Sequence, residues 1–299
     1  MAEIIFAKPV HHYDSYTDFW KLVELSGFPI ISVSDIDITK YQIVITAPMN
    51  GDYMEHFVGN LAHWEETGEI TGGQFLRQKK SGLRRLSHLI IWNLERPSSS
   101  GSVPEYALRS KFWLDNRFCD EVWVSDFQLA DETMLRYVTL GSDYGLGEPC
   151  EDKQYDFTHM SVQIPRRVHI LKEFNSGRIG PNCWPWDNPS RDDVLKQSKF
   201  ALNIHQDEFS FCEPLRIALF AAYGLPVITE KLAVGYPYDL DIRQIPYHSL
   251  VSDLKARLSD DYGQWRDMGL RLRKRLCEDF QFGKMVRRAV DESAGIGWR

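Results

Sequence analysis

The sequence lacks the features of an exported, disulfide-bonded or membrane-spanning protein. Its five cysteines are an odd number, widely spaced and without a Cys-x-x-Cys pair, which argues against a zinc knuckle and a dithiol redox site. No window holds about 18 uninterrupted apolar residues, and the N-terminus has no basic segment followed by an apolar one. We therefore expect no membrane span and a reducing, cytoplasmic location.

The chain also lacks an excess of basic residues. Its 35 Lys and Arg against 42 Asp and Glu give a formal net charge of −7, opposite in sign to that of a protein that coats nucleic acid indiscriminately. A length of 299 residues suits two domains of about 150 residues each. Aromatic residues make up 13% of the chain, and such side chains fill cores or stack on sugars and bases.

Short apolar, β-branched segments alternate with helical segments along both halves of the chain, which predicts parallel sheets joined by crossover helices. A glycine-rich segment at 141–154 is the candidate linker between the halves. We predict an α/β fold of two facing, Rossmann-like, doubly wound parallel-sheet domains. Strands are predicted at 3–7, 29–33, 41–47, 87–94, 120–125 and 137–140, then at 155–161, 178–183, 200–205 and 225–229.

Three regions follow from this pattern. Residues 1–145 are predicted to form the N-terminal domain. Residues 146–280 are predicted to form the C-terminal domain, and residues 281–299 a helix that returns to the N-terminal domain. Ligands of such sheets bind beyond the carboxyl ends of the strands, where His205 and Glu230 lie in the second half.

The most informative segment is residues 200–230, FALNIHQDEFSFCEPLRIALFAAYGLPVITE. It combines a strand, a polar loop, a helix of small residues, a glycine stop at Gly224 and a second buried strand. It resembles the nucleotide-binding segment of two-domain (GT-B type) glycosyltransferases, in which an acidic residue and a second Glu precede a G-x-P-V-I sequence. Glu213 lies near the first acidic position, whereas Leu219 occupies the place of the second Glu.

A closer likeness is to small bacterial and phage glycosyltransferases related to spore-maturation proteins, which carry an arginine where Arg216 stands. The sequence IPRRVHILKEF at 164–174 is similar to the first helix of their donor domain, and WNLERP and DEVWVSD are similar to parts of their N-terminal domain. The resemblance spans about residues 87–250. It implies transfer of a hexose or pentose from a nucleoside-diphosphate sugar, with a UDP-sugar as the expected donor, to a hydroxyl group. In that architecture the C-terminal domain binds the nucleotide-sugar and the N-terminal domain binds the acceptor, and a phage-encoded chain would act in the host cytoplasm.

Elementary chemistry assigns roles to the residues of this segment. A carboxylate such as Glu213 accepts hydrogen bonds from ribose hydroxyls, and a helix that begins near it offers free amides to phosphate. Arginines add permanently charged contacts that stabilise a diphosphate leaving group without a metal ion. The expected donor-binding residues are Arg166, His205, Glu213, Pro214, Leu215 and Arg216, and no cofactor or metal is expected. The Asp35-Ile36-Asp37 triplet lies between two early strands and is not expected to bind metal.

Candidate catalytic residues lie in the first half. Either His11 or His12, which follow the first strand, is expected to face the cleft, and His12 is the candidate base, because histidine is the natural base near neutral pH. Glu95 ends a buried strand and is either a base or acceptor ligand, or a carboxylate paired with Arg96. His11 and Asn50 are expected to contact the acceptor.

A basic run at 77–85, RQKKSGLRR, concentrates cations in an otherwise acidic chain. It is either a solvated loop or a surface for a polyanionic acceptor, since each neutralised phosphate releases counterions. Its candidate acceptor-binding residues are Lys79, Lys80, Arg84 and Arg85. The acceptor is therefore expected to be either a hydroxylated DNA base, flipped from the duplex and stacked near His12 and Trp92, or a glycan or small hydroxyl compound. Two alternatives stay open: a sugar-nucleotide epimerase of the same fold, and a non-catalytic nucleotide-sugar-binding protein.

Overall fold

The computed structural model describes residues 2–8, 16–32, 35–37, 39–46, 86–94, 114–115, 119–133, 135–161, 163–174, 178–183, 189–205, 213–232 and 235–295. Within these residues the strands are β1 Glu3–Lys8, β2 Ile30–Ser32, β3 Gln42–Thr46, β4 His88–Asn93, β5 Glu121–Val124, β6 Arg136–Tyr137, β7 Tyr155–His159, β8 Ser198–Asn203, β9 Val227–Glu230 and β10 Arg243–Ile245. The α-helices are α1 Thr17–Leu25, α2 Phe127–Thr133, α3 Pro165–Glu173, α4 Arg191–Lys196, α5 Pro214–Ala222, α6 Leu250–Arg257, α7 Tyr262–Lys274 and α8 Phe282–Gly295.

The strands form two sheets in which every described pairing is parallel. The first has the order β2-β1-β3-β4-β5-β6, and the second has the order β10-β9-β8-β7. The chain passes to both sides of its starting strand in the first sheet, since β1 lies between β2 and β3. The prediction of an α/β fold built on two parallel sheets is confirmed.

The second sheet also extends to both sides of its first strand. Phe157 of β7 pairs with Phe200 of β8 on one side and with Ile179 on the other. The strand predicted at 178–183 is wrong in extent, because only this single bridge forms. Pro181 has no N–H to donate, and the Asn182 side chain bonds instead to the main chain of Ser161.

The chain divides into two compact units. One comprises the described residues of Met1–Tyr13, Gly27–Ser125 and Leu129–Tyr137, and the other those of Asp14–Ser26, Asp126–Gln128 and Val138–Arg299. Helix α8 packs on α1 through an edge-to-face contact of Phe282 with Phe19, whose ring centroids lie 5.6 Å apart. Helix α8 therefore contacts a helix from the first 26 residues, and that helix belongs to the second unit.

The core of the first unit is aromatic as well as aliphatic. Trp92 is fully buried, contacts Trp123 edge to face at 5.6 Å, and donates its indole N–H to the Ser125 hydroxyl at 2.8 Å. The Trp92 ring is enclosed by this core and is not itself a surface on which a base can stack, while stacking by aromatic residues near it stays a prediction. None of the helices in the described part of the chain has both the length and the apolar character needed to cross a membrane.

The glycine-rich segment after β6 packs into the second unit. The Gly141 backbone approaches the Phe280 carbonyl so closely that a Cβ atom would lie 1.4 Å from its oxygen. Ser142 donates its hydroxyl to the Ala218 carbonyl at 2.9 Å and its amide to the Leu276 carbonyl at 3.1 Å. Glycine at 141 therefore serves close packing of backbone on backbone.

Candidate functional site

Polar and charged side chains collect at the carboxyl edge of the four-stranded sheet. Strand β7 ends at His159, β8 ends shortly before His205, and β9 ends at Glu230. Helix α5 begins directly after Glu213, and Arg166 lies in the first turn of α3. Parallel strands bring these termini to one edge, where ligands of open α/β sheets bind.

Glu213 is held by two guanidinium groups. Its Oε1 accepts hydrogen bonds from Arg216 at 2.8 Å and from Arg167 at 3.1 Å. Arg216 also donates to the Asn203 side chain at 2.7 Å. Burial by itself would raise the pKa of Glu213, but the charges of Arg216, His205 and Arg167 outweigh it and lower that pKa. Glu213 is therefore an ionised carboxylate and an acceptor only.

Arg166 is fixed on two sides. Its guanidinium donates to Glu230 Oε2 at 2.6 Å and lies 3.8 Å from the centre of the Tyr247 ring, a cation–π contact. The Tyr247 hydroxyl donates to the Arg166 carbonyl at 3.0 Å. Glu230 Oε2 also accepts from the His205 backbone amide at 2.7 Å. These bonds join α3, β9 and the segment after β8 into one network.

Several buried polar atoms of this network have no hydrogen-bond partner in the described part of the chain. They are both ring nitrogens of His205, Glu213 Oε2, Glu230 Oε1 and Arg216 Nε. His205 Nδ1 lies 3.7 Å from Glu213 Oε2, which is beyond hydrogen-bond distance. Buried polar groups are almost always paired, so an edge with five unpaired atoms is incomplete without a ligand or ordered water.

His159 stands at the end of β7 with its Nδ1 3.0 Å from the Ser161 hydroxyl. Burial, followed by the charges of Arg216 and Arg167, lowers its pKa to about 4. The ring is therefore neutral near pH 7. Burial and the Arg216 charge also lower the pKa of Arg167 to about 10, so Arg167 stays protonated at neutral pH.

The start of α5 adds main-chain donors. Pro214 occupies the first helical position, and the first intrahelical bond runs from the Ile217 amide to the Glu213 carbonyl. The amides of Leu215 and Arg216 therefore have no partner within the helix, and the positive end of its dipole faces this edge. Helix-start amides beside guanidinium groups form a surface suited to a phosphate or diphosphate.

The structure brings the six expected donor-binding residues to this one edge, while their roles stay predictions. Arg167, Asn203, His159 and Tyr247 were missed. The strand-end rule points to His159, which closes β7, and Arg167 follows Arg166 in the same motif. The candidate catalytic and acceptor residues lie outside the described residues: His11, His12, Asn50, Lys79, Lys80, Arg84, Arg85 and Glu95.

No group of three or more His, Cys, Asp or Glu side chains within the described ranges is placed to hold a metal ion. Asp37 of the Asp-x-Asp triplet accepts hydrogen bonds from the Thr39 amide at 3.0 Å and from the Thr39 hydroxyl at 2.6 Å. Those bonds lower the pKa of Asp37 and stabilise a local turn.

Three solved structures illustrate what the chain is similar to. A chain of a GtfA/B complex matches 91% of this chain at 9% identity with a TM-score of 0.48. A glycosyltransferase from Rickettsia africae ESF-5 matches 97% at 9% identity with a TM-score of 0.47, and MurG from Acinetobacter baumannii matches 97% at 9% identity with a TM-score of 0.43.

The matched structures differ in how much of their own length this chain covers. The chain spans 97% of the Rickettsia protein and 99% of MurG, but only 59% of the GtfA/B chain. It likewise spans 54% of a chain in the complex of accessory secretory proteins 1, 2 and 3 from Streptococcus pneumoniae. No protein-family model and no curated protein sequence matches the chain.

Proposed function

We propose that the protein is a glycosyltransferase that binds a nucleoside-diphosphate sugar at the carboxyl edge of the four-stranded sheet. The observation that carries the proposal is the convergence of Arg166, Arg167 and Arg216 with the first amides of α5, which have no partner within the helix. Among the described side chains, these three guanidinium groups exceed the carboxylates of Glu213 and Glu230 by one positive charge at a largely buried site. A diphosphate complements that surplus.

Two parts of the donor, its diphosphate and its hydroxyl groups, are proposed to be bound by different groups of the site. Arg166, Arg216 and the first amides of α5 bind the diphosphate, and Glu213 accepts hydrogen bonds from hydroxyl groups of the nucleotide. The guanidinium groups stabilise the charge that develops on the leaving diphosphate, so the reaction needs no metal ion. The resemblance of residues 200–230 to GT-B donor segments favours a UDP-sugar, carrying a hexose or a pentose.

The acceptor side of the proposal rests on the sequence. His12 or Glu95 takes the proton from the attacking hydroxyl, and the cations at 77–85 bind a polyanionic acceptor such as DNA with hydroxylated bases. A glycan or small hydroxyl compound is the other acceptor class. Acceptor binding measured at two salt concentrations distinguishes a polyanionic acceptor from the other class, because binding through phosphates weakens steeply as the salt concentration rises.

The experiment is a nucleoside-diphosphate release screen with UDP-, GDP-, ADP- and dTDP-sugars, each with and without hydroxylated DNA and glycan acceptors. Acceptor-dependent release supports glycosyl transfer. Conversion of the donor without release identifies an epimerase, and binding without any turnover identifies a non-catalytic protein. Failure of every donor to bind contradicts the proposal.

Variants of the site residues test where the donor binds. Glu213→Gln is expected to weaken donor binding by about 1–3 kcal/mol, since hydroxyl groups lose a charged acceptor. Arg178→Gln is the control, because Arg178 is an exposed charged residue beside Asp156, near the start of β7 and away from the strand ends that form the site. Calorimetric titration measures both affinities. Equal affinities of the two variants would contradict the donor site.

A further inference from the structure

Glu230 is a buried carboxylate with only half of its hydrogen-bonding capacity used. Its side chain is 3% exposed, and its Oε2 accepts from Arg166 and from the His205 amide. Its Oε1 has no donor within the described residues. An unmet acceptor on a buried charge is costly, so this oxygen calls for a donor that the described chain does not provide.

Glu213 is a second carboxylate beside His205 with one oxygen paired and one unpaired. Its Oε1 accepts from Arg216 and Arg167, while its Oε2 is unpaired and 3.7 Å from His205 Nδ1. The two carboxylates thus both adjoin His205, one at its backbone amide and one at its ring. Both ring nitrogens of His205 are also unpaired, and the residue is 3% exposed.

The unpaired atoms specify the chemistry of their partner. A carboxylate oxygen needs an O–H or N–H donor, and the oxygens of an ionised diphosphate are acceptors that a carboxylate repels. Each ring nitrogen of His205 is either a donor or an acceptor, and a hydroxyl group complements both. The partner is therefore a molecule with several hydroxyl groups close together, in addition to any anionic part that the arginines bind.

We propose that Glu230, together with Glu213 and His205, forms a hydroxyl-binding subsite, in which Glu230 is a specificity-determining residue that accepts a hydrogen bond from a sugar-ring hydroxyl of the donor. The inference rests on the proposed function and deepens it. Neighbouring hydroxyl groups occur both on the ribose and on the transferred sugar, and the ligands below distinguish the two sources.

The experiment combines removal of one ligand hydroxyl with removal of the Glu230 charge. UDP-glucose, its 2′-deoxyuridine and 3′-deoxyuridine counterparts and UDP-2-deoxyglucose are titrated calorimetrically into the wild type and into Glu230→Gln. In the wild type, loss of the bonded hydroxyl lowers affinity by about tenfold or more, as for a hydrogen bond to a charged group. In Glu230→Gln the same deletion costs about threefold or less, and the deoxy ligand that shows this difference identifies the ribose or the glucose as the source.

Glu230→Gln also changes the pairing of Arg166, but that effect is common to all four ligands and cancels in the ratio. Asp156→Asn is the matched control, because Asp156 is a part-buried carboxylate near the start of β7, paired with Lys199 at 2.9 Å. The control variant is expected to lose affinity for each deoxy ligand by the same factor as the wild type.

Three results would overturn the inference. Deoxy ligands that bind the wild type as tightly as UDP-glucose would show that neither the ribose hydroxyls nor the 2-hydroxyl of the glucose is bound, a result that does not depend on the folding of any variant. Equal losses in the wild type and Glu230→Gln would leave the glycosyltransferase proposal intact and remove Glu230 from the subsite. Absence of any binding of UDP-glucose would overturn the UDP-sugar donor and the subsite together.

Discussion

The buried ion pair between Asp18 and Arg191 offers a sharp test of how the second unit is held together. It joins α1 to α4 through two hydrogen bonds of 2.8 Å between the guanidinium and both carboxylate oxygens. The Asp18 side chain is 1% exposed and that of Arg191 is 11% exposed. Burial raises the pKa of Asp18 in spite of the neighbouring guanidinium, so desolvation exceeds the attraction within the pair.

Arg191→Gln is expected to lower the free energy of unfolding by about 3–5 kcal/mol, because it leaves a buried carboxylate without its counter-charge. Arg266→Gln is the matched control. Arg266 lies only 2.6 Å from Glu151, but the two side chains are 50% and 81% exposed. An exposed pair contributes about 0–1 kcal/mol. Urea denaturation at pH 7 measures the free energy of unfolding of both variants. The comparison tests whether burial of an ion pair, rather than its short distance, determines how much stability the pair contributes.

The double variant Asp18→Leu/Arg191→Met removes both charges and keeps apolar volume. It is expected to recover most of the stability that Arg191→Gln loses, since the loss in the single variant comes from the buried Asp18 carboxylate that has no counter-charge. The pH dependence has a defined sign as well. Without Arg191 the pKa of Asp18 rises further, so the single variant regains stability as the pH falls and Asp18 is protonated.

Two results would refute this reasoning. The first is a loss of less than about 1 kcal/mol in Arg191→Gln, since that value is typical of a solvated pair. The second is a double variant that is as unstable as the single variant, which would mean that packing rather than charge determines the loss.

Local sequence pattern was sufficient for every described strand of the two sheets except β10. Strand β3 is predicted from the β-branched run QIVIT, all five residues of which are buried in the structure. Helix α5 is predicted from Pro214 at its start and Gly224 after its end, and Gly224 has a φ of 64°, a conformation that glycine adopts readily. Such signals work because each depends on neighbouring residues only.

Strand β10 shows where the pattern is too short to read. It consists of Arg243, Gln244 and Ile245, and only the last is buried. Three residues with one apolar side chain carry neither a period of two nor a continuous apolar run. Its pairing with β9 places it in the sheet.

The network of the candidate site was predicted in part. The strand-end rule identifies Glu230 and His205 one at a time, because each follows or closes an apolar run. It does not reveal that Glu230 pairs with Arg166, 64 positions earlier, or that Arg167 pairs with Glu213, 46 positions later. The unpaired oxygens of Glu213 and Glu230 can be identified only once the hydrogen-bond donors to each carboxylate are known, and a single sequence does not show which donors those are.

Two further predictions concern packing and titration. Gly269→Ala is expected to lower the free energy of unfolding by about 1–3 kcal/mol or more, because its Cβ would lie 2.3 Å from the Gly224 carbonyl oxygen. Gly263→Ala in the same helix is the control, since its Cβ would meet nothing closer than 3.3 Å. Equal urea midpoints for the two variants would contradict this prediction. His159 links stability to pH, because burial and the charge of Arg216 lower its pKa from 6.5 to about 4 in the folded protein. The unfolded chain therefore takes up a proton as the pH falls through 6.5 while the folded chain does not, so the stabilisation present above pH 6.5 is lost between pH 6.5 and about 4. A depression of this size corresponds to about 3 kcal/mol over that interval. Unfolding free energies of the wild type and His159→Gln, measured by urea titration at closely spaced pH values, should converge as the pH falls, and parallel curves would show that His159 is not the group that titrates.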